Sequence, residues 1–176
     1  NSRSEFQNIE LKASRKGCPE KLYDSLSSFS NNDDGGIIIF GIDEKAGFEK
    51  CGVYNLQDLQ QRITEQCNEM SPKVRPLLSY IEIASGCYIM SAEIPSMDIA
   101  DRPCFYSGKG RLKGSCVRVG TSDEPMTEYE IYSYEAYRRK YQDDIRPIPR
   151  ATDDLMNLNA IADYIKYRSE NKPQFS

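Results

Sequence analysis

Asn31-Asn32-Asp33-Asp34-Gly35-Gly36-Ile37-Ile38-Ile39-Phe40-Gly41-Ile42-Asp43 decides the fold of this chain. A polar turn and two glycines lead into a short apolar run, then a glycine and an acid. The run is too short to be a membrane helix and is rich in β-branched residues, so it reads as a buried strand. Gly35 and Gly36 permit backbone conformations that side chains forbid. Gly41 breaks the strand where another backbone or a ligand approaches closely. Asp43 then stands at the strand's exposed end, where α/β proteins place their chemistry.

Working outward, Asn8 to Ala13 alternates, with Ile9 and Leu11 on one face and Glu10 and Lys12 on the other, as in a short strand. Pro19 suits a first helical position, and Leu22, Leu26 and Phe29 follow at helical spacing, so a helix is predicted from Pro19 to about Asn31. Asn55 with Asp58 opens a second helix. Its stripe is Leu56, Leu59, Ile63, Cys67 and Met70, and Pro72 stops it. Leu77 to Ala84 and Tyr88 to Ile94 read as a hairpin turning at Ser85-Gly86. Cys104 to Ser107 and Ser115 to Val119 are short strands flanking a glycine-rich basic loop, Gly108 to Gly114. Thr127 and Glu130 form a capping box for a tyrosine-rich helix that ends in Arg138-Arg139-Lys140. Arg146-Pro147-Ile148-Pro149-Arg150 is a stiff linker, and Leu158, Ile161 and Ile165 mark a last amphipathic helix. The expected fold is α/β, a mixed sheet flanked by helices, with a helical extension after the proline linker. The expected division is a domain over 1–142, then linker and helix over 143–176 leading to a further domain.

The chain has 176 residues, 39% hydrophobic and 28% charged, which suits one globular domain with an appendage. No apolar run approaches the ~20 residues that span a bilayer, and no signal-peptide core opens the chain, so no membrane partner and a cytoplasmic location are expected. The six cysteines form no CxxC pair and there is no histidine. That removes a histidine-based zinc site and every Ser-His-Asp or Cys-His mechanism, and the cysteines read as reduced core thiols. Catalysis, if any, would rest on carboxylates, lysine, tyrosine or an oxygen-held metal. The net charge of −4 does not favour nucleic acid globally, so any binding patch must be local.

Two constellations could carry chemistry. Glu5, Glu10 and Asp43 could hold magnesium or manganese, with Lys12 beside Glu10 to stabilise a phosphate; the plainer reading is an exposed strand face with a salt bridge. Lys109, Arg111 and Lys113, with Arg118 behind them, form a run of cations without an acid, suited to phosphate oxygens. The alternative is a solvated hairpin tip, and the spacing is not that of a Walker A loop. Tyr129, Tyr132, Tyr134, Tyr137 and Tyr141 could stack bases, but packing of the helix onto the sheet is the expectation. Gly35-Gly36 is expected to be a structural turn.

Taken in order, these pieces resemble the Schlafen-type Alba-like DNA-binding domain, also called the divergent AAA domain, of bacterial transcriptional regulators. The matching residues are Glu5, Glu10-Leu11-Lys12, Ser28-Phe29-Ser30-Asn31, Gly35 to Asp43, Pro72, the hairpin, Pro103 with Tyr106, and Gly114 to Gly120. They cover roughly residues 5 to 135. Where the family usually has alanine-phenylalanine-alanine-asparagine, this chain has Ser28-Phe29-Ser30-Asn31. The resemblance implies nucleic-acid binding, DNA rather than RNA, in a bacterial regulator, and a homodimer, since Schlafen proteins pair two such lobes. It also implies an alternative: some Schlafen proteins are endoribonucleases using three carboxylates, which match Glu5, Glu10 and Asp43 here. Their zinc site needs a histidine and does not carry over. Bacterial members continue into ATPase-like and winged-helix domains, so the chain reads as a fragment of something longer.

Overall fold

The computed structural model describes residues 7–144 and 158–171. Its centre is a four-stranded mixed sheet of β1 (Ile9–Lys12), β2 (Gly36–Phe40), β6 (Leu77–Ala84) and β7 (Cys87–Ile94), in the order β1-β2-β7-β6. β1 runs parallel to β2, with Glu10 opposite Ile38 and Lys12 opposite Phe40. β2 runs antiparallel to β7, and β7 closes the hairpin with β6. A parallel pair needs a crossover, and α1 (Tyr23–Asn31) supplies it.

The strand read from the sequence is the core strand. Ile38 and Phe40 are fully buried with Met90 and Ala92 of β7, beneath Leu26 and Phe29 of α1 and beneath Leu59, Ile63 and Cys67 of α2 (Leu56–Asn68). Both glycines of the turn are forced. Gly35 has φ +67°, and a Cβ there would lie 2.4 Å from the Ile94 carbonyl oxygen. At Gly36 a Cβ would enter the Phe29 ring at 2.2 Å. Gly41, with φ +96°, lets the backbone of Gly52 approach, which is the close contact expected at that break.

The helix predicted from Pro19 begins four residues later, at Tyr23. The Gln66 side chain of α2 explains this. It accepts from Leu22 N at 3.0 Å and donates to Pro19 O at 3.0 Å. The backbone groups that a longer helix would pair are satisfied across the core instead. Asn55 caps α2 as expected, accepting from Asp58 N at 2.9 Å. Met70 lies beyond the helix, in β5 (Met70–Ser71), which pairs with β8 (Phe105–Tyr106). β3 (Ile42–Asp43) pairs with β4 (Glu49–Lys50). The basic loop contains a helical turn, α3 (Arg111–Gly114), before β9 (Cys116–Val119), which pairs with β10 (Ser122–Pro125). The capping box forms: Thr127 N donates to Glu130 Oε2 at 2.7 Å, opening α4 (Glu128–Asp144).

The alternation in β1 has an unexpected sense. Glu10 and Lys12 share the sheet face of Ile38 and Phe40, the face that carries the helices. Ile9 and Leu11 share the other face with Ile37 and Ile39, all only partly buried. On that face, Leu77 and Ile81 of the edge strand β6 are 62% and 61% exposed. An open groove of about 690 Å³ crosses it, lined by Ile9, Ile37, Leu77 and Pro95 among others.

The chain forms two compact units, Asn1–Arg139 and Lys140–Ser176. The proline linker expected at Arg146–Arg150 lies outside the described residues. In the second unit, α5 (Leu158–Asn171) is the last amphipathic helix, with Ile161 and Ile165 exposed. No described helix is long and apolar enough to cross a membrane.

Candidate nucleic-acid interface

The Gly108–Gly114 segment is held over Tyr106. A Cβ at Gly108 would lie 2.5 Å from the Tyr106 ring, and one at Gly114 would lie 2.6 Å from the Tyr106 carbonyl oxygen. Tyr106 itself stacks on Tyr23 with ring centroids 3.8 Å apart. These two glycines therefore answer to packing. The cations project from the turn so formed. Lys109 Nζ lies 3.1 Å from Asp24, and Arg111 lies 2.5 Å from Glu135. Lys113 is exposed and has no ion-pair partner among the described residues. The run of cations without acids in the sequence is thus partly countered in space, by acids from α1 and α4. Lys109 and Asp24 are both exposed, where an ion pair contributes little and a phosphate can replace the carboxylate, whereas Glu135, only 16% exposed, stays paired with Arg111.

Arg118 does not stand behind the loop as a spare cation. Its side chain is 6% exposed and fully engaged. Nε donates to Gln7 O at 2.9 Å, one terminal nitrogen donates to Asp123 at 2.6 Å, and the guanidinium lies 4.8 Å from the centre of the Phe29 ring. Asp123 also accepts from Ser25 at 2.8 Å and Ser28 at 2.5 Å. Arg118 therefore ties β1, α1 and the β9–β10 hairpin together. A buried, paired guanidinium is costly to expose, so it is not available to a phosphate.

The acids are placed as follows. Glu5 lies outside the described residues. Glu10 is engaged by Lys12 at 2.5 Å, and Arg118 lies 3.7 Å from its other oxygen, Oε2. That oxygen is buried and has no hydrogen-bond partner. Asp43 shapes the turn between β3 and β4: its Oδ1 accepts from Lys45 N and Ala46 N, and its Oδ2 lies 3.5 Å from Arg15. Glu10 and Asp43 share no partner. Among the described residues no three Asp, Glu or Cys side chains converge as a metal site would require. A divalent cation at Glu10 would have to displace Lys12.

Three of the five tyrosines of α4 depart from the expectation of packing; Tyr134 is partly buried, and the side chain of Tyr141 lies outside the described residues. Tyr129 is 81%, Tyr132 50% and Tyr137 44% exposed. The helix is instead anchored by Ile131, fully buried, and by Arg138, which donates to Ala100 O at 2.7 Å and Arg102 O at 2.8 Å. Sequence reasoning also missed two organising polar residues. Arg102 is buried and bonds Asp33, Ser96, Asn32 O and Met97 O. Asn31 bonds the backbone of Cys104 and Cys116. The signal for Asn31 was its place in the Ser28-Phe29-Ser30-Asn31 motif, which marked the position without showing what it bonds.

Three burial effects complete the picture. Desolvation pushes the thiols of Cys67 up to about 12 and of Cys104 up to about 11. Burial and the adjacent Asp58 carboxylate push the Tyr54 hydroxyl up to about 12. These groups stay protonated at neutral pH and offer no nucleophile.

The family described as Schlafen, AlbA_2 matches residues 5–127. No curated protein matches the chain. Among solved structures, the chain is similar to the DIP2311 protein of Corynebacterium diphtheriae, at 21% identity and TM-score 0.51, covering 76% of this chain and 28% of that one. The chain thus spans little more than a quarter of that relative. It is also similar to the N-terminal domain of a RecG-related protein of Nitrosomonas europaea, at 23% identity and TM-score 0.50, covering 69% of this chain and 84% of that domain. At these identities the likeness is one of fold.

Proposed function

The chain belongs to the Schlafen AlbA_2 family, and from that premise we propose that it is a nucleic-acid-binding module, DNA rather than RNA, in a cytoplasmic bacterial transcriptional regulator. The observation that carries the reading is the turn at Lys109, Arg111 and Lys113. It sets three exposed cations on one turn, one of them without an ion-pair partner among the described residues, on a chain of net charge −4. Phosphate contacts of this kind bind without base information and release counterions. The RecG-related neighbour agrees with this reading, since its own description is that of a DNA helicase relative. Replacing Lys109, Arg111 and Lys113 by alanine should weaken binding to many sequences alike. It should lower the salt slope by up to roughly three units, one per lost contact. Fluorescence anisotropy with labelled DNA and RNA across a salt series reads both, and a triple variant with parental affinity and slope would remove the turn from the interface.

A second reading, a metal-dependent nuclease, has one specific observation in its favour: Oε2 of Glu10 is buried and has no hydrogen-bond partner, with only Arg118 at 3.7 Å. It requires Glu5 to complete the site and a magnesium or manganese ion to displace Lys12. Manganese-dependent cleavage of labelled tRNA or DNA that is lost in Glu10→Gln would establish it; cleavage unchanged in that variant would end it.

Self-association belongs to the first reading. Among the described residues β6 is an edge strand beside exposed Leu77 and Ile81, and antiparallel pairing of that edge with its copy is what a two-fold axis produces. A monomer mass by light scattering at high concentration would count against it.

A further inference from the structure

We infer that the exposed side of α4, with the cations of α3 beside it, is a stacking platform for single-stranded nucleic acid. This rests on the nucleic-acid reading above and adds the form of the ligand.

Three observations carry it. At about 100° per residue, Tyr132, Tyr129 and Tyr137 span an arc of about 140° on one side of α4. The opposite side is fixed by buried Ile131 and by the two carbonyl bonds of Arg138, so the rings are presented on an anchored helix. Next, the Arg111–Glu135 pair at 2.5 Å pins α3 against α4. Glu135 is three residues from Tyr132 and four from exposed Arg139, so these positions share one helix flank with the α3 cations. Finally, exposed Arg139 lies seven residues after Tyr132, and Arg111 neutralises Glu135, the one acid from Ile131 to Arg139, while exposed Glu128 stands beside Tyr129. Aromatic faces beside cations form the combination that holds unpaired bases and their phosphates together. A duplex keeps its base faces stacked on one another and has none to offer to the rings.

The test uses the whole chain with three labelled probes: an oligothymidylate strand, a hairpin duplex of similar length, and an abasic deoxyribose-phosphate strand. Tight binding of the oligothymidylate, with the duplex and the abasic strand weaker by about tenfold or more, is expected. Tyr132→Ala and Tyr129→Ala should each weaken oligothymidylate binding, by roughly 5- to 150-fold for a ring that stacks one base. Tyr132→Phe, which keeps the ring, should restore it. Affinity for the abasic strand should not change in any of these variants. The chain has twelve tyrosines and no tryptophan, so the part of the fluorescence quenching that is lost in Tyr129→Ala and Tyr132→Ala reports contact at those rings. The substituted positions are exposed, and an unchanged thermal midpoint verifies folding. If the parent binds none of the probes, the nucleic-acid reading itself falls. If it binds duplex as well as single strand, or if the alanine variants bind oligothymidylate like the parent, the stacking platform is refuted while the phosphate-binding turn stands.

Discussion

Asn31→Ala should destabilise the first unit by about 3–4 kcal/mol. Asn31 closes α1 and is 3% exposed. Its Oδ1 accepts from Cys104 N at 2.7 Å, and its Nδ2 donates to Cys104 O at 2.9 Å and Cys116 O at 3.1 Å. Ser27 supplies a second donor to Cys104 O, at 2.7 Å. Truncation therefore leaves two buried backbone groups without partners, the Cys104 N–H and the Cys116 carbonyl. Each such group costs ~1–3 kcal/mol, so two cost about 2–6 kcal/mol, and the figure above is the middle of that range without counting the small void. Since small domains hold only ~5–15 kcal/mol, the loss is a large fraction of the total. Urea unfolding would show it as a lower midpoint at unchanged slope. Asn31→Asp is the sharper control. It keeps the acceptor for Cys104 N but turns carboxylate oxygens toward two carbonyls. Burial raises its folded-state pKa above the unfolded value near ~3.9. The stability of that variant is then greatest below the unfolded pKa and is lost as pH rises through the folded one. A loss below about 1 kcal/mol for Asn31→Ala, or an Asn31→Asp variant that gains nothing on acidification, would refute the accounting.

Gly35→Ala should cost about 2 kcal/mol or more, because it adds positive-φ strain to a contact with the Ile94 carbonyl, whereas Gly17→Ala, with nothing near its Cβ, should stay within about 0.5 kcal/mol. Comparison of the two urea midpoints decides it, and equal costs would defeat the argument. The buried thiols of Cys67 and Cys104 have pKa values raised to about 12 and about 11 from 9.0. Their contribution to stability is therefore complete below about pH 9 and is lost toward those values. Iodoacetamide at pH 8.5 should label both far more slowly than in urea, as read by mass spectrometry; equal rates would place them outside the core.

What the sequence revealed was what neighbouring residues decide. The strand Ile37–Phe40, the hairpin at Ser85-Gly86, the Asn55 cap and the Thr127–Glu130 box each rest on residues within a few positions, so their signals are local. The start of α1 was misread because Pro19 carries a local preference that Gln66, more than forty residues away, overrides. Two-residue strands such as β3 and β5 have too few residues to show a period and exist only through their partners. The basic run at Lys109–Arg118 looked free of acids because Asp24 and Glu135 come from other helices. Arg118 and Lys113 are alike as letters. Only the packing of Phe29, Asp123 and Gln7 makes one a buried tie and leaves the other on the surface.

The tie at Arg118 bears on how this domain is made. Gln7 and Arg118 are 111 positions apart. On the ribosome, the first strand leaves the exit tunnel long before the arginine that anchors it exists. β1 can pair with β2 early, but Glu10 and the carbonyl of Gln7 must wait, hydrated, for most of the domain to be translated. The final arrangement is therefore reached late. A nascent chain stalled short of Arg118 should remain open to protease along β1, and one long enough to bring Pro125 out of the tunnel should close.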